Sequence, residues 1–242
     1  YHDIHNLAQA SVCFRQSHEA LKAALPPEHE AITDSLNNQS VLRLAMNDIE
    51  EAHKLARECL EVFRKRIALP EEKRNRMAAY PGIRQALSGE TNWSGVLTSR
   101  SYAAGPAAVS DRVPLGVYLN NLARAEARLN LVSAKKTFEE ALAQFESVLN
   151  DAKLASLHGL ARKEKAITQT NLAVYLIDRG ELGQAELLLK DALEVRRLLV
   201  GPKHPDFAGS LTTLGYLQFR RRQLAEAGES MTRAADIYRE SH

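Results

Sequence analysis

Few residues of this 242-residue chain are spaced for covalent chemistry. His2 and His5 stand one helical turn apart, a spacing that could seat two ligands of a metal ion, but no second cluster completes a site. Cys13 and Cys59 lie on separate apolar helical faces, which suits reduced core thiols of an intracellular, cytoplasmic protein. The chain has no glycine-rich phosphate loop ending in Lys-Ser or Lys-Thr, no nucleophile elbow and no His-Glu-x-x-His helix. Its other polar groups are suited to binding. Arg124 and Arg128, one turn apart, can hold a carboxylate jointly. Tyr216 offers a flat apolar surface with a polar tip. The expectation is a binding protein, not an enzyme, with no cofactor and no metal.

Charge narrows the partner further. With 32 basic and 30 acidic residues the net charge is only +2, and short basic runs such as Arg220-Arg221-Arg222 have acidic neighbours. A nucleic-acid surface would need a broader basic face with stacking aromatics. No apolar stretch approaches the roughly 20 residues that span a bilayer. The expected partner is therefore a protein or peptide, with no nucleic acid and no membrane.

The elements carrying these residues repeat. Thr170, Leu172, Arg179, Leu182, Ala185, Ala192 and Arg197 recur 42 residues later as Thr212, Leu214, Arg221, Leu224, Ala227, Ala234 and Arg239. Self-similarity at such a period marks a solenoid, in which each unit buries its apolar face against the next. Leu172, Ala173 and Leu176 have helical spacing, and so do Leu182, Ala185, Leu189 and Ala192 beyond the turn at Gly180. Small residues at Ala173, Ala185 and Ala192 let two antiparallel helices approach closely. With 45% hydrophobic but only 6% aromatic residues and no alternating strand pattern, the chain reads as all-α.

This hairpin resembles the tetratricopeptide repeat. Leu172, Ala173, Gly180, Ala185, Leu189 and Ala192 stand at that family's characteristic places, and Leu214, Gly215, Ala227, Met231 and Ala234 supply the next copy. The long period, "TNLAVYL", "QAELLLKDALEVRR" and the linker "GPKHPD" resemble the kinesin-light-chain-like branch; Thr213 and Gln218 depart from its pattern. The resemblance implies a right-handed superhelical solenoid of antiparallel helical hairpins that acts as an adaptor or scaffold. It also implies a concave groove lined by the first helix of each hairpin. In that groove Asn38, Asn121 and Asn171, with Thr213 in the last repeat, would face a ligand. An amide both donates and accepts, so such a row can grip an extended backbone regardless of sequence. The alternative is that these asparagines cap or cross-link neighbouring helices. Three and seven residues further along each helix stand Arg124 and Arg128, Val174 and Asp178, then Tyr216 and Arg220. Together they favour an acidic or acidic–apolar peptide. The arginines could instead pair with Glu126 or with neighbouring repeats.

Upstream the pattern continues. Asn38, Ala52, Leu55, Leu60, Glu61, Val62 and Arg64 match residues 133 positions later, from Asn171 to Arg197, and "LPPEHEAITDSL" parallels "VGPKHPDFAGSL" with His29 over His204. Both histidines are expected to close linkers. The chain thus divides into N-terminal repeats at 1–67, an irregular insert or degenerate repeat at 68–113, and three C-terminal repeats at 114–242. Leu7, Ala10 and Phe14 align with Leu182, Ala185 and Leu189, making the first helix a second helix without its partner. This suggests a piece of a larger protein, with a covalently linked upstream domain, or a partner that covers this end. Within the insert, Pro70 opens a short helix, another short piece lies near Ile83–Leu87, and Trp93 beside Glu90 is a self-ligand candidate for the groove. The sequons at Asn38 and Asn92 have no meaning without secretion. A second functional class is the sensing or scaffolding region of a larger signalling protein, regulating an attached effector domain.

Overall fold

The computed structural model describes residues 2–78 and 111–241, with side chains from 6–77 and 111–241. Trp93, Glu90, Asn92, the segment near Ile83–Leu87 and the side chains of His2 and His5 lie outside the described residues. Ten α-helices account for nearly all of the described backbone, and no strand occurs among those residues. The chain divides into two compact units, Tyr1–Asp111 and Arg112–His242.

The first unit contains α1 (His2–Ala24), α2 (Glu30–Ala45), α3 (Ile49–Ile67) and the short α4 (Glu71–Ala78), which begins directly after Pro70. The second contains α5 (Arg112–Arg128), α6 (Ala134–Leu149), α7 (His158–Asp178), α8 (Leu182–Leu199), α9 (Pro205–Arg220) and α10 (Leu224–Glu240), with a 3-10 turn at Ala152–Leu157. The hairpins are α2/α3, α5/α6, α7/α8 and α9/α10.

One backbone device closes all four hairpins. Asn47 (φ 62°), Asn130 (φ 55°), Gly180 (φ 81°) and Arg222 (φ 62°) each adopt the left-handed conformation. The next amide then reaches back five residues: Asp48 to Arg43, Leu131 to Glu126, Glu181 to Leu176 and Gln223 to Gln218, each at 2.9 Å. This pairing satisfies carbonyls that the helix end would otherwise leave open. Sequence reading found the device at Gly180; its equivalents carry two asparagines and an arginine.

The small residues sit where the helices cross. Ala123, Ala134, Ala141, Ala173, Ala185 and Ala192 are all fully buried. In the first unit Ser40, Ala52 and Cys59 fill the corresponding places, with the Ser40 hydroxyl donating to the Ala52 carbonyl at 2.8 Å. Burial pushes the Cys59 thiol well above its ordinary pKa, so it behaves as a small apolar core residue. Phe138, Leu172, Leu176, Ile177, Leu189 and Leu217 join the three hairpins of the second unit into a shared core. A fully buried side chain of this size contributes about 1.5–3 kcal/mol, so residues shared between neighbouring hairpins couple each repeat to the next.

The two linker histidines have the same role. His29 and His204 are extended residues that cap α2 and α9, their Nδ1 atoms accepting from the amides of Ala31 and Asp206 at 3.1 Å. His29 Nε2–H also donates to the Met77 carbonyl at 3.0 Å, tying α4 to the start of α2. Nearby, Asp111 accepts from Arg74 at 2.6 Å and from Arg66 at 3.5 Å, and Arg66 also reaches Glu30 at 3.1 Å. On α1, Leu7, Ala10 and Phe14 remain partly exposed, whereas their counterparts Ala185 and Leu189 are fully buried.

Candidate functional site

In the second unit the first helices of successive hairpins, α5, α7 and α9, lie side by side. Each carries a mostly polar set of residues at matching places, on the stripe left by the faces that pack against its own hairpin partner and the core. Asn121, Asn171 and Thr213 occupy the first place, Arg124, Val174 and Tyr216 the next, and Arg128, Asp178 and Arg220 the last. That last place is the final helical residue of α5, α7 and α9 respectively.

The asparagines are engaged with one another. Asn171 Nδ2 donates to Asn120 Oδ1 at 3.0 Å, joining α7 to α5. Asn120 Nδ2 in turn donates to Asn121 Oδ1 at 3.3 Å, and both of these neighbours are buried. This is the cross-linking role weighed from the sequence, and its central member is Asn120, which sequence reasoning passed over. The signal was present as the Asn120-Asn121 doublet. Thr213 is turned into its own helix, its hydroxyl donating to the Gly209 carbonyl at 3.2 Å. Asn38 is half-buried on α2 in the first unit, and the other groove candidates belong to the second.

Arg124 is half-buried on α5 and donates to Asn121 Oδ1 at 3.4 Å. Among the described residues it forms no ion pair. Burial lowers the guanidinium's pKa, and repulsion from Arg128 one turn away lowers it further. An arginine stays protonated under such pressure, so the site holds a partly desolvated positive charge. Glu126 does not serve as its partner: that carboxylate is buried and accepts from the Ser133 hydroxyl at 2.8 Å.

At the other edge the predicted residues do meet. Tyr216 OH donates to Asp178 Oδ1 at 2.6 Å, and Arg220 donates to Tyr216 OH at 3.0 Å while lying 3.8 Å from the same carboxylate oxygen. The Arg220 guanidinium also stands 5.9 Å from the Tyr216 ring centre. Val174 lies on the stripe between Asn171 and Asp178 and is partly exposed. The stripe therefore runs from a cation on α5 that has no acidic partner among the described residues, past an apolar step on α7, to a hydrogen-bonded acid–phenol–base cluster bridging α7 and α9. None of these groups is arranged as a nucleophile with a base, and among the described residues no helix is long and apolar enough to cross a membrane.

Residues 166–206, which span α7 from its middle, all of α8 and the linker to α9, match the family described as tetratricopeptide repeat. Two crystal structures of a Podosopora anserina protein, described as a kinesin light chain with nearly identical TPR-like repeats, share the fold. One, a point variant, has a TM-score of 0.54 at 17% identity, covering 97% of this chain and 88% of that one. The other has a TM-score of 0.52 at 17% identity, covering 98% and 89%. No curated protein is recognisably similar in sequence. The fold is thus a tetratricopeptide-type array of helical hairpins like those of kinesin-light-chain-like repeat proteins, an architecture that serves protein–protein interaction.

Proposed function

We propose that this tetratricopeptide-repeat protein is a peptide-binding module, and that the stripe along α5, α7 and α9 holds an extended segment of a partner protein. The carrying observation is Arg124. A half-buried guanidinium without a carboxylate costs desolvation that nothing described in the fold repays. An acidic side chain of a ligand would repay it through a charge-assisted pair, with Arg128 one turn further on. Val174 and the ring of Tyr216 provide apolar contact beside it. Asn121 holds the Arg124 guanidinium in place, and Asn171 and Asn120 keep the two helices in register.

The test is a peptide-display selection on this chain, followed by isothermal titration of enriched peptides. A groove of this kind should bind with micromolar affinity, about −8 kcal/mol. Arg124→Glu should weaken acidic peptides by at least about tenfold, since it exchanges an attraction for a repulsion. Binding that is indifferent to Arg124→Glu would refute the reading.

A further inference from the structure

We infer that Asp178 is a built-in acidic occupant that closes the α7–α9 end of the stripe to ligand carboxylates. Bound peptides would then be acidic only at the Arg124 end, with a basic or neutral donor side chain at Asp178. This rests on the groove reading above and adds a charge order to it.

The three helix-terminal residues alternate in sign: Arg128 on α5, Asp178 on α7 and Arg220 on α9. The arginines suit their places, because a cation at a helix C-terminus complements the partial negative charge there. Asp178 does not. A carboxylate as the last residue of a 21-residue helix is opposed by that helix's own dipole, so helix stability offers no reason for it. Its reason lies across the gap. Asp178 Oδ1 accepts from Tyr216 at 2.6 Å and faces Arg220 at 3.8 Å, filling the place on α9 where a ligand acid would otherwise pair.

The contrast with α5 is direct. Among the described residues Arg124 has a hydrogen bond to a neutral amide and no acid, whereas Arg220 and Tyr216 already share Asp178. A second carboxylate arriving at Arg220 would stand against Asp178, and like charges placed side by side are strongly disfavoured. Both contacts of Asp178 use Oδ1, and its side chain is 59% exposed, which leaves Oδ2 to accept from a lysine, arginine, amide or hydroxyl of the ligand.

The experiment runs the same peptide-display selection in parallel on the wild-type full chain and on Asp178→Asn. Asparagine keeps an oxygen for Tyr216 and removes the charge. Peptides selected on the wild type should carry acid at one end and a donor or basic residue at the other. Those selected on Asp178→Asn should accept acid at both. In titrations, replacing the donor residue of a wild-type-selected peptide with Glu should weaken binding to the wild type about tenfold, and to Asp178→Asn less than about threefold. Arg220→Gln, a second variant that unmasks the Asp178 charge, should widen the wild-type discrimination. Equal discrimination by all three proteins would overturn the inference while leaving the groove intact. Selected peptides that ignore Arg124→Glu would instead overturn the groove reading, and this inference with it.

Discussion

The left-handed residue in each hairpin turn makes Arg222→Gly a stabilising substitution. Arg222 has φ 62°, the same conformation that Gly180 adopts 42 positions earlier at φ 81°. A side chain with a Cβ pays about 1–2 kcal/mol there, while glycine adds about 0.5–1 kcal/mol of backbone freedom to the unfolded chain. The net gain should be about 0.5–1 kcal/mol, roughly 1–4 °C in Tm for a chain of this size. Arg222 is exposed and has no hydrogen bond through its side chain among the described residues, so little is lost with it. The reciprocal change, Gly180→Ala, should cost about 1 kcal/mol, and purely through the backbone, because a Cβ at Gly180 meets nothing within 4 Å. Urea unfolding followed by far-UV circular dichroism measures both. Arg222→Asn, copying Asn47 and Asn130, should fall between wild type and glycine. A loss of stability in Arg222→Gly would refute the strain argument for all four turns, since they share one hydrogen-bond pattern.

Gly116→Ala should destabilise the second unit by about 1–3 kcal/mol, because the added methyl would stand 2.6 Å from the fully buried ring of Phe145; thermal unfolding checks it, and an unchanged Tm would mean that the ring can move. The pH dependence should follow His29. Burial, with a smaller push from Arg66, holds its pKa below 6.5, outweighing Glu30 and the Met77 carbonyl, and the neutral ring caps α2. Its contribution is therefore complete above pH 6.5 and is lost as pH falls through the lower folded pKa, by at most about 1.4 kcal/mol per pH unit. His29→Asn keeps a cap without this titration and should flatten unfolding free energy between pH 7.5 and 5, leaving the part due to His18, whose pKa burial also lowers.

Much of the architecture was legible because it depends on local, repeated constraints. A helix crossing needs a small residue wherever it falls, so Ala173, Ala185 and Ala192 announced the hairpin, and each proved fully buried. A helix needs a cap, so the parallel placing of His29 and His204 marked two linkers that share one geometry. Turn closure was harder, since the left-handed place carries asparagine twice and arginine once, and only the backbone reveals that the four are equivalent.

The polar stripe was legible as a set of residues but not as a set of bonds. The family resemblance selects Asn121 and Asn171, and helical spacing from the groove positions selects Arg124, Asp178, Tyr216 and Arg220, without saying which will meet, because their partners stand on other helices up to 51 residues away. Packing of α5 against α7 commits Asn171 to Asn120, and packing of α7 against α9 brings Asp178 to Tyr216 and Arg220. The same packing leaves Arg124 half-buried, with no acid beside it among the described residues. Helix, turn and repeat thus follow from residues close in the chain, whereas the neutralisation of each charge on the stripe depends on distances that exist only once the hairpins stack.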